Sequence, residues 1–379
     1  MSLTQPISKA NHCLTINEIM SQPSVWRKFA EQNLPQCAEI RSWINARKPK
    51  EIWLCGAGTS AYIGQILCGY FSQHSSILYR HIPTTDLVST PNLYVHQSAH
   101  ILVVSFGRSG NSSESIAALD LLDKFLPKAD RLNITCNAKS ALATRTHSGT
   151  GQQQTLILPD SAHDQGFAMT ASFTTMVLAA LACFDPLHSK MAKTAIMQLA
   201  EQGETLLDKP LTKLIDSKLA SCPERAIFLG SGSLLGVARE SALKVLELTK
   251  GKIATLWESS LGFRHGPKSI ISDKTIIFAN LSLNPYTQLY DLDMINELKT
   301  QFPDITLITL GSITTKADII FNPVYNDCWS SVLYVLTPQL AAAHWGLKLG
   351  IHIDTPFAGG ELNRVVSGVK IYPYANEDN

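Results

Sequence analysis

Short apolar runs alternate with longer stretches of helical periodicity along most of the chain. The pattern predicts five strands in the first half, at residues 51–55, 76–80, 100–105, 131–135 and 154–158. It predicts four more in the second half, at residues 225–229, 274–280, 304–310 and 318–322. A long helical stretch, from about residue 170 to residue 215, separates the two sets. This alternation is typical of an α/β protein with parallel sheets covered by helices on both faces.

Two turns rich in glycine and serine lie between a predicted strand and a predicted helix. The first is Gly56-Ala57-Gly58-Thr59-Ser60, and the second runs from Ser105 to Ser112. A strand that leads through such a turn into a helix directs free backbone N–H groups, and the positive end of the helix dipole, at one point. Serine hydroxyls add uncharged donors, so the turns suit a phosphate that is held and then released. Either turn alone is equally compatible with simple helix capping.

The first turn also fits part of a dinucleotide-binding motif, a Gly-x-Gly-x-x-Ala pattern at residues 56–61. That motif requires an acidic residue about 20 positions further on, which holds a ribose hydroxyl. After Glu51 the next acidic residue is Asp86, although Arg80 stands where a 2′-phosphate could bind. A nicotinamide cofactor therefore stays a secondary alternative. A nucleotide P-loop is disfavoured, because neither turn ends in Lys-Ser or Lys-Thr.

The second half contains a copy of the first turn. Residues 228–233, Phe-Leu-Gly-Ser-Gly-Ser, repeat the pattern of residues 54–59, again between a predicted strand and a predicted helix. Duplication of one α/β unit accounts for this repeat, with a boundary between about residues 202 and 221.

The helix predicted after this copy carries three charged residues on one face. Glu240, Lys244 and Glu247 follow at spacings of four and three positions, so they project from the same side. An exposed row of ion pairs is one interpretation. An acid–base group is the other, because the helix begins at the duplicated turn and this face should reach the crevice at the carboxyl ends of the strands. Further along, His265 lies in a Gly- and Pro-bounded loop at residues 261–267 and is a second candidate acid or base.

Length and charge narrow the function classes. A chain of 379 residues exceeds a usual single core, so two domains are expected. With 32 basic and 31 acidic residues the formal net charge is +1, which provides no field for nucleic acid or anionic lipid. The longest apolar stretches, such as residues 176–184, are too short to span a membrane, and residues 1–11 do not resemble a signal peptide. We expect a soluble, cytoplasmic protein.

The eight cysteines are scattered and form no C-x-x-C pair. We interpret them as reduced core thiols rather than disulfides or zinc ligands. The scattered Asp, His and Cys residues give no metal-ligand cluster either, so no metal or other cofactor is expected.

Four motifs together resemble a known family: the Gly-x-Gly-Thr-Ser turn, the Ser-Gly-x-Ser turn, the Lys-x-x-Glu helix and the His-Gly-Pro loop. They are similar to the tandem sugar isomerase (SIS) domains in the isomerase half of glucosamine-6-phosphate synthase, and the resemblance covers residues from about 35 to 369. Several ungapped runs look more like the bacterial galactosamine-6-phosphate deaminase/isomerases, also known as tagatose-6-phosphate ketose/aldose isomerases. These runs are residues 84–88, 105–111, 134–137, 166–170, 238–249, 262–268 and 363–366.

The resemblance implies a domain organisation. Each SIS domain is a mostly parallel sheet in a flavodoxin-like, three-layer αβα arrangement. The expected limits are an N-terminal helical segment at residues 1–34, SIS domains at 35–205 and 206–369, and a tail at 370–379.

The resemblance also implies roles for residues. Glu247 matches the carboxylate that moves a proton between C1 and C2, Lys244 matches the lysine one turn before it, and His265 matches a histidine that assists ring opening from the neighbouring subunit of a homodimer. Arg364 aligns approximately with the synthase lysine that closes over the substrate, and Arg108 stands where the synthase has glutamine. The positions expected to bind substrate, besides Arg108 and Arg364, are Thr59, Ser60, Gly107, Ser109, Ser112 and Glu240.

The implied activity converts D-galactosamine 6-phosphate into D-tagatose 6-phosphate and ammonia, without a cofactor. An amidotransferase is not expected, because no glutaminase segment precedes the isomerase motifs. Two alternatives stay open: a ketose/aldose isomerase without deamination, and a non-catalytic sugar-phosphate sensor. The sequence does not separate galacto from gluco substrates, because one or two contacts read the configuration at C4.

Overall fold

Two five-stranded sheets form the framework of the protein, and every strand pair in them is parallel. The computed structural model describes residues 13–95 and 100–375. The first sheet contains β1 (Glu51–Gly56), β2 (Leu78–Pro83), β3 (Ile101–Gly107), β4 (Asp130–Thr135) and β5 (Gln153–Ile157). The second contains β6 (Arg225–Leu229), β7 (Ala254–Glu258), β8 (Thr275–Asn280), β9 (Thr306–Ser312) and β10 (Ile319–Phe321). The predicted α/β class is confirmed.

Helices precede, connect and follow these strands. In the first half they are α1 (Leu14–Gln32), α2 (Leu34–Arg47), α3 (Thr59–Gln73), α4 (Thr84–Ser89), α5 (Ser113–Phe125), α6 (Ala141–Thr144) and α7 (Ala171–Phe184). In the second they are α8 (Ala192–Asp208), α9 (Pro210–Asp216), α10 (Ser233–Leu248), α11 (Pro285–Gln301), α12 (Asp327–Tyr334) and α13 (Leu336–Lys348). The long helical stretch expected at 170–215 is therefore three helices, because Pro186 follows α7 and Pro210 begins α9.

The expected N-terminal helical segment contains α1, whereas its residues 1–12 lie outside the described part of the chain. Within residues 13–95 and 100–375, no helix combines the length and the apolar character needed to cross a membrane.

Both sheets have the same strand order, β2-β1-β3-β4-β5 in the first and β7-β6-β8-β9-β10 in the second. This common order confirms the duplicated α/β unit. The sequence did not predict β7. It is an edge strand of its sheet and is partly exposed along its length, so it lacks the continuous apolar run of a central strand. Sheet topology does not fix domain limits, and the division between residues 205 and 206 stays a prediction.

The central strands bury both faces, so alternate residues enter different layers. In β1, Ile52 and Leu54 join a large apolar cluster that extends across both halves, while Trp53 and Cys55 face α4 and α5 on the outer side. In the second half α11 covers the outer side of the sheet. The shared inner layer includes α7, all of whose residues are buried, and the contact between α3 and α10.

The contact between α3 and α10 depends on a glycine. A Cβ atom at Gly236 of α10 would lie 2.6 Å from Ile66 Cγ1 and 2.9 Å from the Ile66 backbone nitrogen of α3. Any side chain there would push the two helices apart. The first helix after the glycine turn of each repeat thus packs directly on its counterpart.

The two copies of the turn also have the same backbone geometry. Gly58 and Gly232, which precede α3 and α10, have φ angles of +54° and +58°, a region that side chains rarely adopt. At Gly56 and Gly230, an added Cβ would lie 2.5 Å and 2.3 Å from backbone atoms of the following helix. Both glycines of each turn are therefore required for the close passage from strand to helix.

The crevice at the ends of β6 and β8 is filled by the protein itself. The buried Asp291 carboxylate of α11 accepts hydrogen bonds from the Ser231 and Ser260 hydroxyls at 3.0 and 2.5 Å, and from the Ser282 amide at 3.0 Å. Burial raises the pKa of Asp291. In the second repeat, the Asp291 carboxylate thus accepts hydrogen bonds from the donors that a bound anion would require.

Asp291→Ala should destabilise the fold, because two hydroxyls and one amide lose their shared acceptor. The expected cost is about 1.5–3 kcal/mol in the free energy of unfolding, measured by urea titration. Asp273→Ala, at an exposed position near β8, is the matched control and should cost less than about 0.5 kcal/mol. An Asp291→Ala protein as stable as the control would show that these contacts contribute little.

Candidate active site

A cavity of 340 Å³ opens at the carboxyl ends of β1 and β3. The strand order of the first sheet reverses at this point, which is where open α/β sheets bind their ligands. Both glycine- and serine-rich turns of the first repeat line the cavity. The remaining walls are Thr85 of α4, Phe167 and Met169, the Leu243 and Glu247 side of α10, and residues 362–366 near the C-terminus.

The second turn provides backbone and hydroxyl donors at the start of α5. Ser112 is the N-cap residue, and its hydroxyl accepts a hydrogen bond from the Ser115 amide at 3.2 Å. Gly110 has a φ of +64°, and a Cβ there would lie 2.4 Å from Ser140 Oγ, so the turn can fold this tightly only with glycine. Ser109 and Gly107 also line the cavity. The positive end of the α5 dipole therefore faces an open space lined with small donors.

The first turn contributes Thr59 and Ser60, which lie at the start of α3. Thr59 connects this turn to the other repeat, because its hydroxyl accepts a hydrogen bond from Lys244 Nζ at 3.0 Å. The Ser60 hydroxyl lies 3.8 Å from Met169 Sδ, across the cavity wall.

Lys244 is the centre of a charged group on α10. Its Nζ lies 2.5 Å from Glu247 Oε2 and 3.4 Å from Glu240 Oε1. The side chains of Lys244 and Glu240 are fully buried, and that of Glu247 is 18% exposed and lines the cavity. The group is therefore buried beside the crevice, which excludes the interpretation of an exposed row of ion pairs.

Burial and neighbouring charges shift the pKa values of Glu240 and Lys244. Burial raises the pKa of Glu240 to about 8, against the opposing pull of Lys244. Burial alone would lower the pKa of Lys244, but the carboxyl groups of Glu240 and Glu247 outweigh it and raise that pKa. The Lys244 ammonium thus lies between the buried Glu240 carboxyl, whose pKa is raised, and the Glu247 carboxyl on the cavity side.

Arg108 and Arg364 close one wall of the cavity. Arg108 Nη1 donates to the Phe167 carbonyl at 2.9 Å, and its Nη2 donates to the Arg364 carbonyl at 3.0 Å. Arg364 Nε donates to the Gly166 carbonyl at 2.9 Å, and its Nη2 donates to the Asp164 carbonyl. The Arg108 guanidinium thus joins the 164–167 loop to the C-terminal segment. Arg108 lines the cavity beside Gly107.

Three of the predicted site residues do not line the cavity of their own chain: Lys244, Glu240 and His265. Lys244 is fully buried beside it. Glu240 is behind Lys244, with no exposed side-chain area. His265 is exposed in the loop between β7 and β8 and is not among the residues that line the cavity. Arg80, the residue considered for a 2′-phosphate, instead pairs with Glu51 at 3.0 Å and lies over the rings of Trp53 and Tyr94.

The sequence motifs did not single out several residues that shape the cavity. Phe167 and Met169 form part of its wall, and their only signal was a family-like run at residues 166–170. Glu114, in the first turn of α5, and Leu243 of α10 also line it. Among residues 13–95 and 100–375, no three His, Cys, Asp or Glu side chains converge in a way that could hold a metal ion.

Comparison with known proteins identifies the fold family. A family model described as SIS domain matches residues 46–184. The chain is 39% identical to the D-galactosamine-6-phosphate deaminase AgaS of Shewanella sp. (strain ANA-3) over 370 residues, which is 95% of this chain and 92% of that protein. The chain belongs to the SIS-domain family. The resemblance found in the sequence is therefore confirmed.

Two further relatives of this SIS-domain protein are similar over almost their whole length. The D-galactosamine-6-phosphate deaminase AgaS of Escherichia coli is 37% identical, over 97% of this chain and 98% of that protein. The crystal structure of tagatose-6-phosphate ketose/aldose isomerase from Escherichia coli has a TM-score of 0.84 at 34% identity, over 97% of this chain and 98% of that chain. The segment matched by the SIS-domain model ends at residue 184, before the second sheet. Both relatives align with 97% of this chain, so the similarity includes the second sheet.

Glu240→Gln should change how the stability of this SIS-domain protein depends on pH. A carboxyl whose pKa rises on folding stabilises the fold only while it is protonated, so the wild type should lose stability as the pH rises from 4.5 to about 8. The variant lacks this loss, and at pH 9 it should be more stable than the wild type by on the order of 2 kcal/mol. Urea unfolding at pH 5 and pH 9 measures the difference, with the exposed Glu39→Gln as control. A variant less stable than the wild type at pH 9 would contradict this account of Glu240.

Proposed function

We propose that the protein is an amino-sugar phosphate deaminase/isomerase that converts D-galactosamine 6-phosphate and water into D-tagatose 6-phosphate and ammonia. The observation that carries the proposal is that two phosphate-type turns and the Glu247 carboxylate line one 340 Å³ cavity. That volume is in the range of small-ligand sites. The names of the relatives at 37–39% identity support the same substrate. The proposal includes the cytoplasmic location expected from the sequence.

The phosphate is proposed to bind at the N-terminus of α5. Ser109 and Ser112, the backbone of Gly107 and Arg108, and Ser60 from the facing turn would supply its hydrogen bonds. Arg108 and Arg364 would add positive charge to the cavity wall. Their guanidinium groups would not bind the phosphate directly, because they already donate hydrogen bonds to backbone carbonyl groups. Such a cradle binds a dianion firmly and still allows release.

The reaction is proposed to begin with ring opening, in which the bond between C1 and the ring oxygen breaks, that oxygen gains a proton, and the C1 hydroxyl loses its proton to become the carbonyl. The Glu247 carboxylate then takes the proton from C2 while the C1 oxygen gains a proton, which gives an enaminol. Glu247 returns its proton to C1 as the amino nitrogen loses one, which leaves an imine at C2. Water adds to this imine, and ammonia departs. Lys244, 2.5 Å from Glu247, would hold the carboxylate in position between turnovers.

His265 is proposed to assist ring opening in the site of the other subunit of a homodimer. Its exposure, and its position away from the cavity of its own chain, support this arrangement. Each complete site would then contain Glu247 of one subunit and the partner subunit's His265.

The activity is tested with a panel of hexosamine and hexose 6-phosphates, scored separately for ammonia and for ketose phosphate. Galactosamine 6-phosphate should yield both products in equal amounts. Ketose phosphate from a hexose 6-phosphate, without ammonia from any hexosamine, would indicate a simple isomerase. Binding of the sugar phosphate without turnover would indicate a sensor.

Glu247→Gln should slow the chemical step by about 10²–10⁴-fold, because the amide keeps the shape of the side chain but cannot take a proton. The KM should change little. In deuterated water the wild type should place deuterium at C1 of the ketose product, and the variant should lose this exchange. Glu39→Gln on α2 is the matched control and should keep full activity. A Glu247→Gln protein with near wild-type turnover would refute the role of Glu247.

Mixed dimers test the proposed sharing of the site. Chains with Glu247→Gln and chains with His265→Ala should each be nearly inactive. After joint unfolding and refolding they should regain about a quarter of wild-type activity, because half of the dimers are hybrids and one site in each hybrid is intact. Hybrids that form, as shown by mass spectrometry of differently tagged chains, and remain inactive would assign both residues to the site of a single chain.

A further inference from the structure

Glu18 of α1 contacts the loop that forms one wall of the cavity. Its Oε1 accepts hydrogen bonds from the Gln165 amide at 2.5 Å and the Gly166 amide at 3.1 Å. Its Oε2 is 3.3 Å from the same Gly166 amide. A Cβ at Gly166 would lie 2.9 Å from Glu18 Oε2 and 2.7 Å from Thr15 Oγ1, so the loop backbone rests directly on α1. Glu18 itself does not line the cavity.

The other side of the same loop holds both arginines of the site. The Gly166 carbonyl accepts from Arg108 Nη1 at 3.3 Å and from Arg364 Nε at 2.9 Å, and the Phe167 carbonyl accepts from Arg108 Nη1 at 2.9 Å. The orientation of two successive peptide groups therefore decides where these guanidinium groups lie. The Glu18 carboxylate holds the amide groups of residues 165 and 166, which directly precede these carbonyl groups along the loop.

We propose that Glu18 is a positioning residue of the site, whose carboxylate holds residues 165 and 166 so that Arg108 and Arg364 close the cavity over the substrate. Closure over a substrate rests on the proposed function, whereas the contacts of Glu18 do not. Glu18 touches no reacting atom. It acts through the loop, by keeping two N–H groups paired and the carbonyl groups directed at the arginines.

The stability of the fold does not explain an ionised Glu18 at this position. Two further carboxylates face it: Asp164 from the loop, and Asp354 from the C-terminal segment, which binds the amides of Leu14 and Thr15 at the start of α1. Arg108 and Arg364 lie on the far side of the loop. Burial, together with Asp164, raises the pKa of Glu18 to about 6. A group with a raised pKa stabilises the folded state only when it is protonated, so at pH 8 the ionised carboxylate costs stability.

The test compares Glu18→Ala, Glu18→Gln and the wild type at pH 8. Glu18→Ala should raise the KM for galactosamine 6-phosphate by about tenfold and leave kcat within about twofold, because it displaces the binding wall and spares Glu247. Glu18→Gln retains an acceptor oxygen and should keep the KM within about threefold. Glu31→Ala, an exposed glutamate on the same helix, is the matched control and should leave the KM unchanged.

A pH series separates a positioning role from a structural one. Between pH 8 and pH 5.5 the KM of the wild type should rise relative to that of Glu18→Gln, because only the wild type loses its acceptor charge in this range. Ionisation of the substrate phosphate affects both proteins equally and cancels in the ratio. If the ratio of the wild-type KM to the Glu18→Gln KM stays constant across this pH range, the proposal is overturned. This comparison does not need Glu18→Ala and can be made even if that variant fails to fold.

Amide hydrogen exchange provides a readout independent of the substrate. In Glu18→Ala, exchange should accelerate in residues 164–170 and 362–366 and stay at the wild-type rate in the second sheet. Unchanged exchange in these two segments, or faster exchange with an unchanged KM, would overturn the proposal. If the wild type does not turn over galactosamine 6-phosphate, the proposed function fails by itself. The dissociation constant for inorganic phosphate then replaces the KM, with the same expected tenfold increase in Glu18→Ala.

Discussion

The buried ammonium of Lys244 is the interaction on which the arrangement of the site depends. It contacts Glu240 and Glu247 on its own helix and donates to the Thr59 hydroxyl of the first repeat. A fully buried cation needs nearby negative charge and acceptors, because the protein interior solvates it poorly. Those partners come from both repeats, so Lys244 can be buried only when α3 and α10 are docked. Burial of one charge therefore fixes the position of Glu247 relative to the phosphate-type turns.

The two repeats have the same topology but different crevices. In the first, the turns after β1 and β3 leave their donors open to a 340 Å³ cavity. In the second, Asp291 accepts from the corresponding turn, and Asp327 accepts from the Ser282 hydroxyl and the Leu283 amide. A carboxylate supplied by the chain satisfies the donors that the duplicated backbone inevitably creates. The second repeat thus supplies α10 to the site of the first, while its own crevice stays filled.

Segments from both ends of the described chain complete the cavity. Glu18 near the N-terminus holds the loop at residues 164–167, and Asp354 near the C-terminus accepts hydrogen bonds from the first amides of α1. Arg108 and Arg364 connect that loop to the C-terminal segment. Because a network of this kind satisfies each member through the others, loss of one charged group moves its neighbours as well.

The sequence by itself determined the features that depend on neighbours along the chain. The central strands are apolar runs, the turns need Gly58 and Gly232 at positive φ, and the spacing of Lys244 and Glu247 puts both on one helix face. Only the tertiary structure decided the rest. The edge strand β7 is partly exposed and has no distinct pattern, whereas Asp291 and Glu18 act through contacts with residues 60 and 148 positions away. Such contacts leave no periodic signal, because the partners of a long-range hydrogen bond are set by how the elements pack and not by local propensity.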